Sequence, residues 1–528
     1  TTQDMGVLLG VDPTRDLVMM KSRCLKEGEG FLTHTLPMVE DGLLAALAAG
    51  QLVPSMLPGF RFRGSLPVFL RGFFELIFLA DGSVSSSASS DAVYAIWQIT
   101  ALSKKVERPV TPELARKAEL AYVATDAEVS GRVGSDDDLP FIFNSLFRDL
   151  LATIDGQIAR FEVVPRHGPG ATAERISAEE KWTFPHWLES LEDVFPSTLY
   201  TSHNGLVPPR PSVSPDMEPP VRVAFVPKTV RGPRVIVMEP YARQYAQQGV
   251  ARELYVLLRR AFPGQFDLFD QLINQTKAWI GSETGRYATI DLSEASDRVS
   301  HELVAELFAP YSHLSDALQA LRSARAQLPG GDVIHLKKFA SMGSALTFPI
   351  QSMVFFAIAV QGTIKRGLNP GGIRKAAKAS GISVFGDDII VPGHSYHSVV
   401  EGLQSYGLKI NNRKSYCSGG FRESCGGDFF RGQDVSIVRL RRDLPQSRRD
   451  AEAVSSFVAF RNLCYSSGMW QTARWCDRWL SRIIDWQPAP VGHPSLSRWT
   501  YLRVEPDYIH EGYQLEMIRR PKLVPKGG

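Results

Sequence analysis

The sequence predicts an α+β protein. Strand-type runs fall at residues 286–292 and 382–391, helical segments separate them, and both ends of the chain carry mainly helical spacing. A length of 528 residues allows roughly three or four structural units, or one large enzyme with subdomains. Hydrophobic residues at 44% and charged residues at 22% suit a folded chain with a sizeable core and argue against wholesale disorder. With 43 Gly and 34 Pro, turns and irregular connections should be plentiful.

Lys and Arg number 59 against 56 Asp and Glu, a formal charge of +3, so a nucleic-acid partner has to be sought in local clusters. The five cysteines, at 24, 417, 425, 464 and 476, form no C-x-x-C pair, which speaks against a zinc or redox site and suits reduced thiols in a cytosol. The pattern of a secretory signal is missing. The longest apolar stretch, 344–360, is broken by Thr347, Pro349, Gln351 and Ser352 and falls short of a membrane span. No membrane role is expected.

In chain order, residues 41–57 and 68–79 show helical spacing, and Asp91 is expected to cap a helix through Tyr94, Trp97 and Ile99. Thr111 followed by Pro112 marks the start of another helix. His167-Gly-Pro-Gly is read as a plain turn. Six prolines within 206–220 exclude a helix or central strand and predict a surface connection. Residues 221–237 then alternate apolar side chains with Arg222, Lys228, Arg231 and Arg234 and include no acid, a basic ribbon. The last hundred residues are expected to be mostly helical, with Trp470, Trp475, Trp479 and Trp486 in packing roles. Arg439, Arg441, Arg442, Arg448 and Arg449 offer either phosphate contacts or a solvated face.

Three segments carry chemistry. The strand-type run that begins at Tyr287 ends in Asp291, and Ser293 is expected to cap a helix after it. Gly386-Asp387-Asp388 joins two apolar runs, as a tight hairpin with carboxylates at its tip would. Adjacent acids repel, and oxygen-only ligands suit Mg²⁺ or Mn²⁺. Adding Asp291 gives a three-carboxylate cluster fit for two ions about 3.5 to 4 Å apart, an arrangement used in phosphoryl transfer. Between these segments, Ser341-Met342-Gly343-Ser344 is a small-residue loop expected either to let a ligand backbone or sugar approach or simply to cap the apolar helix it feeds, through Phe356 and Ile358.

The order and content of these blocks resemble the viral RNA-directed RNA polymerases, above all the replicase subunit of single-stranded RNA bacteriophages, the Qβ-like leviviruses. The resemblance rests on Asp291 to Asp297 as motif A, Met342 to Phe348 as motif B and Phe385 to Asp388 as motif C. Gly407 to Lys414 and Phe421 to Gly426 stand as motifs D and E, with Val226-Pro227-Lys228 and Glu239-Pro240 upstream. It covers about residues 221–435.

What the resemblance implies is a right-hand polymerase with palm, fingers and thumb, an antiparallel palm sheet carrying the Gly-Asp-Asp hairpin. Its expected divisions are 1–220, helical and fingers-associated; 221–285, a basic fingers segment; 286–435, the palm; and 436–528, a helical thumb. Asp291, Asp387 and Asp388 would bind two Mg²⁺, with Mn²⁺ able to substitute. Lys228 and Arg234 would neutralise the triphosphate. Lys409 or Lys414 would protonate the leaving pyrophosphate, with Lys409 favoured. Asp297 would bond the ribose 2′-hydroxyl, with Ser341, Gly343, Thr347 and Gln351 also lining the nucleotide site. Asp297 lies one residue further from Asp291 than is usual in the class, and Gln351 stands where Asn is usual. Implied partners are RNA template and product, ribonucleoside triphosphates, and host elongation factors Tu and Ts with a ribosomal protein, all in the bacterial cytoplasm. A reverse transcriptase is disfavoured by Asp297 and by the lack of a bulky aromatic just after Asp291; a catalytically silent RNA-binding subunit and an Mg²⁺ nuclease are the remaining rivals.

Overall fold

The computed structural model describes residues 1–129, 138–201 and 211–524. The chain divides into two units, one made of Thr1–Pro109, Pro227–Gly232 and Val435–Gly528, the other of Val110–Val226 and Pro233–Asp434.

The first unit knits together the two ends of the sequence. Its longer helices include Leu36–Ala49, Ser90–Thr100, Ala451–Ser466 and Trp470–Leu480. Gln98 is fully buried, and its side-chain amide donates to the Val438 carbonyl at 2.7 Å and accepts from the Val438 N–H at 2.8 Å. The buried Asp4 carboxylate accepts from the Gln471 N–H at 2.7 Å and from the Thr472 hydroxyl at 2.6 Å. Ser89, rather than Asp91, caps Ser90–Thr100: its hydroxyl accepts from the Ala92 N–H at 3.2 Å, and Asp91 sits in the first turn where it meets the positive end of the helix dipole. Residues 435–450 form an irregular connection, so the helical expectation for the C-terminal region holds only for Ala451–Ser466 and for the helix that ends at Leu480. Beyond it are short strands, Pro488–Pro490 with Arg498–Thr500 and Tyr508–His510 with Leu515–Met517, because Pro488, Pro490, Pro494 and Pro506 forbid a continuous helix. Trp470 and Trp475 are 66% and 43% exposed, so the tryptophans are not uniformly packed away.

In the second unit, helix α1 (Pro112–Glu128) starts where expected, with the Thr111 hydroxyl accepting from the Leu114 N–H at 3.3 Å. Helix α2 (Leu139–Ala159) follows, then the hydrogen-bonded strands β1 (Val221–Thr229) and β2 (Gly232–Met238), whose connecting tip falls in the first unit. Residues 206–210 of the proline-rich connection lie outside the described residues. Next come helices α3 (Tyr241–Ala261) and α4 (Leu272–Thr284), and strands β3 (Tyr287–Ile290) and β4 (Leu292–Ser293). Strands β5 (Arg325–Gln327) and β6 (Val333–His335) extend the basic ribbon into a four-stranded sheet of order β6-β5-β1-β2. Helix α5 (Thr347–Thr363) leads to β7 (Ser383–Phe385) and β8 (Asp388–Pro392), which form an antiparallel sheet of order β7-β8-β3. Helix α6 (Tyr396–Ser405), strand β9 (Lys409–Ile410) against β4, and the meander β10 (Phe421–Ser424), β11 (Gly427–Phe430) and β12 (Gln433–Asp434) complete the unit.

The α+β expectation is met, and it is the core that fixes the site. Helix α5 is apolar on every side and buried from Pro349 to Val360, packing against α2 and α6 and behind β7 and β8. Ser293 does not cap a helix, because it is extended in β4 and pairs with Lys409. The chain instead makes a short 3₁₀ turn at Ala295–Arg298, and the next helix, His301–Phe308, is capped by Ser300, whose hydroxyl accepts from the Leu303 N–H at 2.9 Å. Among the described residues, no helix is long and apolar enough to cross a membrane.

Candidate active site

Strand register brings the carboxylates together. Ile389 of β8 pairs with Ile290 of β3, so continuing by one residue sets Asp388 across from Asp291. Phe385 pairs with Asp388, leaving Gly386 and Asp387 as a two-residue turn. Gly386 has φ +65°, as the mirror-image hairpin turns demand, and a Cβ there would stand 2.3 Å from the Phe348 ring of α5. Its N–H donates to the Ser352 hydroxyl at 3.1 Å, so α5 holds the turn from behind.

A second layer fixes each acid. Asn411 donates its side-chain N–H to Asp291 Oδ2 at 2.6 Å and its backbone N–H to the Asp291 carbonyl at 2.9 Å. The Asp291 N–H donates to Ser415 Oγ at 3.1 Å. Asp388 Oδ1 accepts from the Cys425 N–H at 3.1 Å and from the Ser424 hydroxyl at 3.3 Å. Asn274 of α4 donates to the Asp388 carbonyl at 3.0 Å. Lys414 pairs with Glu423 at 3.1 Å and lies in the field of Asp291 and Asp388.

These contacts set the electrostatics. Burial pushes Asp291 up to about 7, with Lys414 pulling down and Asp387 and Asp388 pushing further up. Burial and the charge of Asp387 push Asp388 up to about 6. Burial works against the charge of Lys414, yet Glu423, Asp291 and Asp388 hold its ammonium above the usual lysine range. The donor chemistry of Asp291, Asp387 and Asp388, oxygen alone without nitrogen or sulfur, is of the kind that suits Mg²⁺ or Mn²⁺. The Cys425 thiol beside them is pushed up by burial, which keeps it a protonated, poor ligand. Among the described residues, no three acid, His or Cys side chains are drawn close enough to enclose an ion.

The remaining expected residues are placed as follows. Gly343 has φ +133°, and a Cβ on it would lie 2.0 Å from the Val237 carbonyl oxygen of β2. Ser341 is buried, its hydroxyl 3.0 Å from the Tyr122 hydroxyl of α1, and Thr347 donates to the Ser341 carbonyl at 2.8 Å. Gln351 is buried in α5 and its Oε1 has no hydrogen-bond partner. Asp297 is paired with Lys338 at 3.0 Å. Lys228 and Arg234 are exposed. Lys409 points to solvent on β9 and has no ion pair among the described residues, so the lysine gathered with the acids is Lys414. Arg442 pairs with Glu452 at 2.8 Å, which takes it from the group open to phosphate.

Asn411, Ser415, Glu423 and Lys338 were not singled out from the sequence. The first three lie within or beside the runs 407–414 and 421–426, and a polar Asn411-Asn412 pair at a strand end was the available signal.

Residues 215–449, which include β3 and the β7–β8 hairpin with their acids, match the family described as RNA replicase, beta-chain. The chain is 36% identical over 222 residues to the RNA-directed RNA polymerase subunit beta of Qbeta virus (strain MX1), covering 42% of this chain and 35% of that protein. It is 40% identical over 220 residues to the RNA-directed RNA polymerase beta chain of Escherichia phage MS2, covering 42% of this chain and 37% of that one. The resemblance to the levivirus replicases is thereby borne out over the central segment, while the match spans little more than a third of these relatives' length. Among solved structures, the chain is similar to the RNA-dependent RNA polymerase of a human picorbirnavirus, with 12% identity, a TM-score of 0.39, and coverage of 66% of this chain and 70% of that one.

Proposed function

We propose that the chain is an RNA-directed RNA polymerase that replicates a single-stranded RNA phage genome, joining ribonucleoside triphosphates to an RNA 3′-hydroxyl with release of pyrophosphate. The observation that carries this reading is the strand register that sets Asp291 against Asp388 with Asp387 in the adjoining turn. Asp291, Asp387 and Asp388 are the residues to hold two divalent cations, which when bound would lower the pKa of the attacking hydroxyl and stabilise charge on the α-phosphate. Asn411 and Ser415 orient Asp291, and the Cys425 N–H orients Asp388. Lys414, protonated beside the acids, is better placed than Lys409 to hand a proton to the leaving pyrophosphate. Arg234 and Lys228 supply cationic groups for the triphosphate, and Asp297 accepts from the ribose 2′-hydroxyl. In this reading residues 286–435 are the palm, 221–285 belong to the fingers, and 436–528 form the thumb, with 1–220 associated with the fingers. Host elongation factors Tu and Ts and a ribosomal protein are the partners this reading includes, as the sequence resemblance implies, and the bacterial cytoplasm is its place of action.

The test is copying of a short RNA template by the purified chain in Mg²⁺, with and without host extract, comparing ribonucleotides with deoxynucleotides. Ribonucleotide incorporation that disappears in Asp388→Asn while RNA binding survives is the expected result. Deoxynucleotide incorporation would move the reading to reverse transcription, and silence even with extract would favour a binding subunit.

A further inference from the structure

Lys338 is the most deeply buried ammonium of the second unit, with 0% of its side chain exposed. Its Nζ lies 3.0 Å from Asp297 Oδ1, 3.9 Å from Asp126 Oδ1 and 3.5 Å from the centroid of the Tyr122 ring, a cation–π contact. Asp126 is in turn fixed by the backbone N–H groups of Lys337 at 3.0 Å and Lys338 at 3.2 Å. Tyr122 carries the network onward, since its hydroxyl meets Ser341 Oγ at 3.0 Å. One turn of α1 therefore ties the segment after Asp291 to the loop before Gly343. A buried ammonium is costly unless it is paired, so Asp297, Asp126 and the Tyr122 ring are each needed around this one.

The pair leaves Asp297 half used. Oδ1 is taken by Lys338, while Oδ2 accepts from no described residue, and the carboxylate is 18% exposed. One oxygen is anchored inward and the other is free to accept a hydrogen bond from outside.

We propose that Lys338, with Tyr122 behind it, is a positioning residue for sugar selection: it turns Asp297 so that its second oxygen accepts from the 2′-hydroxyl, while the Tyr122–Ser341 bond holds the facing loop in register. The proposal rests on the reading that Asp297 meets the ribose. Loss of Lys338 would leave Asp297 free to rotate away, so discrimination should fall through a raised KM for the ribonucleotide, with the deoxynucleotide little changed.

The experiment measures kcat/KM for GTP against dGTP on a short RNA template with the full chain, and the affinity of each nucleotide by direct binding. The variants are Asp297→Ala, Lys338→Met, Lys338→Arg and the double variant of the first two. Asp297→Ala and Lys338→Met should each reduce the ribose preference about tenfold or more, the size expected for a hydrogen bond to a charged group. The double variant should lose no more than either alone, and Lys338→Arg should restore most of the preference. If Lys338→Met keeps the wild-type preference while Asp297→Ala loses it, or if it weakens both nucleotides equally, the positioning role is overturned. If Asp297→Ala itself keeps the preference, the ribose reading of Asp297 has failed, and that outcome is separate. Should Lys338→Met not fold, Tyr122→Phe keeps the ring over the ammonium and removes only the bond to Ser341, and an unchanged preference in that variant would equally overturn the proposal.

Discussion

Asn411 carries more of the site than its place in the sequence suggests. Both its side-chain and backbone N–H groups are spent on Asp291, the first fixing a carboxylate oxygen and the second the peptide behind it. Asn411→Ala should weaken Mn²⁺ binding about 10- to 100-fold, the usual effect of removing a ligand's supporting hydrogen bond, with little change in melting temperature. Titration of Mn²⁺ by calorimetry on the purified chain checks it. His167 makes a different point. Its ring lies 4.7 Å from Trp182, 5.2 Å from Phe184 and 4.5 Å from Tyr245, and neither nitrogen has a hydrogen-bond partner. Burial, and then the charge of Lys181, push it down to about 4. A histidine whose folded value lies below its unfolded value binds fewer protons when folded, so its contribution is full above about 6.5 and is lost as pH falls toward 4. Thermal melts from pH 7 to 4 should fall more steeply for the wild type than for His167→Phe, and parallel curves would remove histidine from the acid response.

At the scale of elements, the β7–β8 hairpin depends on helix α5 for its shape. Gly386 needs its positive φ, and the Phe348 ring fills the space a methyl group would take. Gly386→Ala should lower stability by about 1–3 kcal/mol, as overpacking does, and shift the acids with it. Denaturant unfolding reads the first effect and nucleotide incorporation the second. Much of this hairpin was legible in advance, because a Gly-Asp-Asp turn between apolar runs is a local signal. The Thr111 cap was legible for the same reason. Ser293 was misjudged because a serine after a strand suits either a cap or an extended residue, and its pairing with Lys409, far along the chain, decided the matter. The choice between Lys409 and Lys414 was hidden likewise: five residues apart in sequence, they part only because one lies on β9 and the other beyond its end. Lys338 gave no signal at all, since nothing local marks a lysine whose partners come from α1 and from the turn after β4.

At the scale of the whole molecule, the first unit is discontinuous. Residues 1–109 and 435–528 share one interior, with Gln98 bonded to Val438 and Asp4 to Thr472. A chain ended at Asp434 should therefore keep residues 110–434 resistant to protease while residues 1–109 are digested. Equal resistance of the two regions, read by mass spectrometry of the fragments, would show that the N-terminal stretch folds without its distant half. The near balance of charge, +3 over 528 residues, leaves any attraction for a polyanion to local groups.

That discontinuity sets an order of events during synthesis. By the time Asp434 has been added, every residue of the second unit, including Asp291, Asp387 and Asp388, has been made, whereas the helix Ser90–Thr100 still lacks the strand of backbone that satisfies Gln98. Its buried amide must stay hydrated or mispaired for more than three hundred residues of elongation, which at about 5–20 residues per second lasts tens of seconds. Whatever apolar surface of residues 1–109 is covered only by residues 435–528 stays open for that time, and that is where a holding chaperone would have work to do.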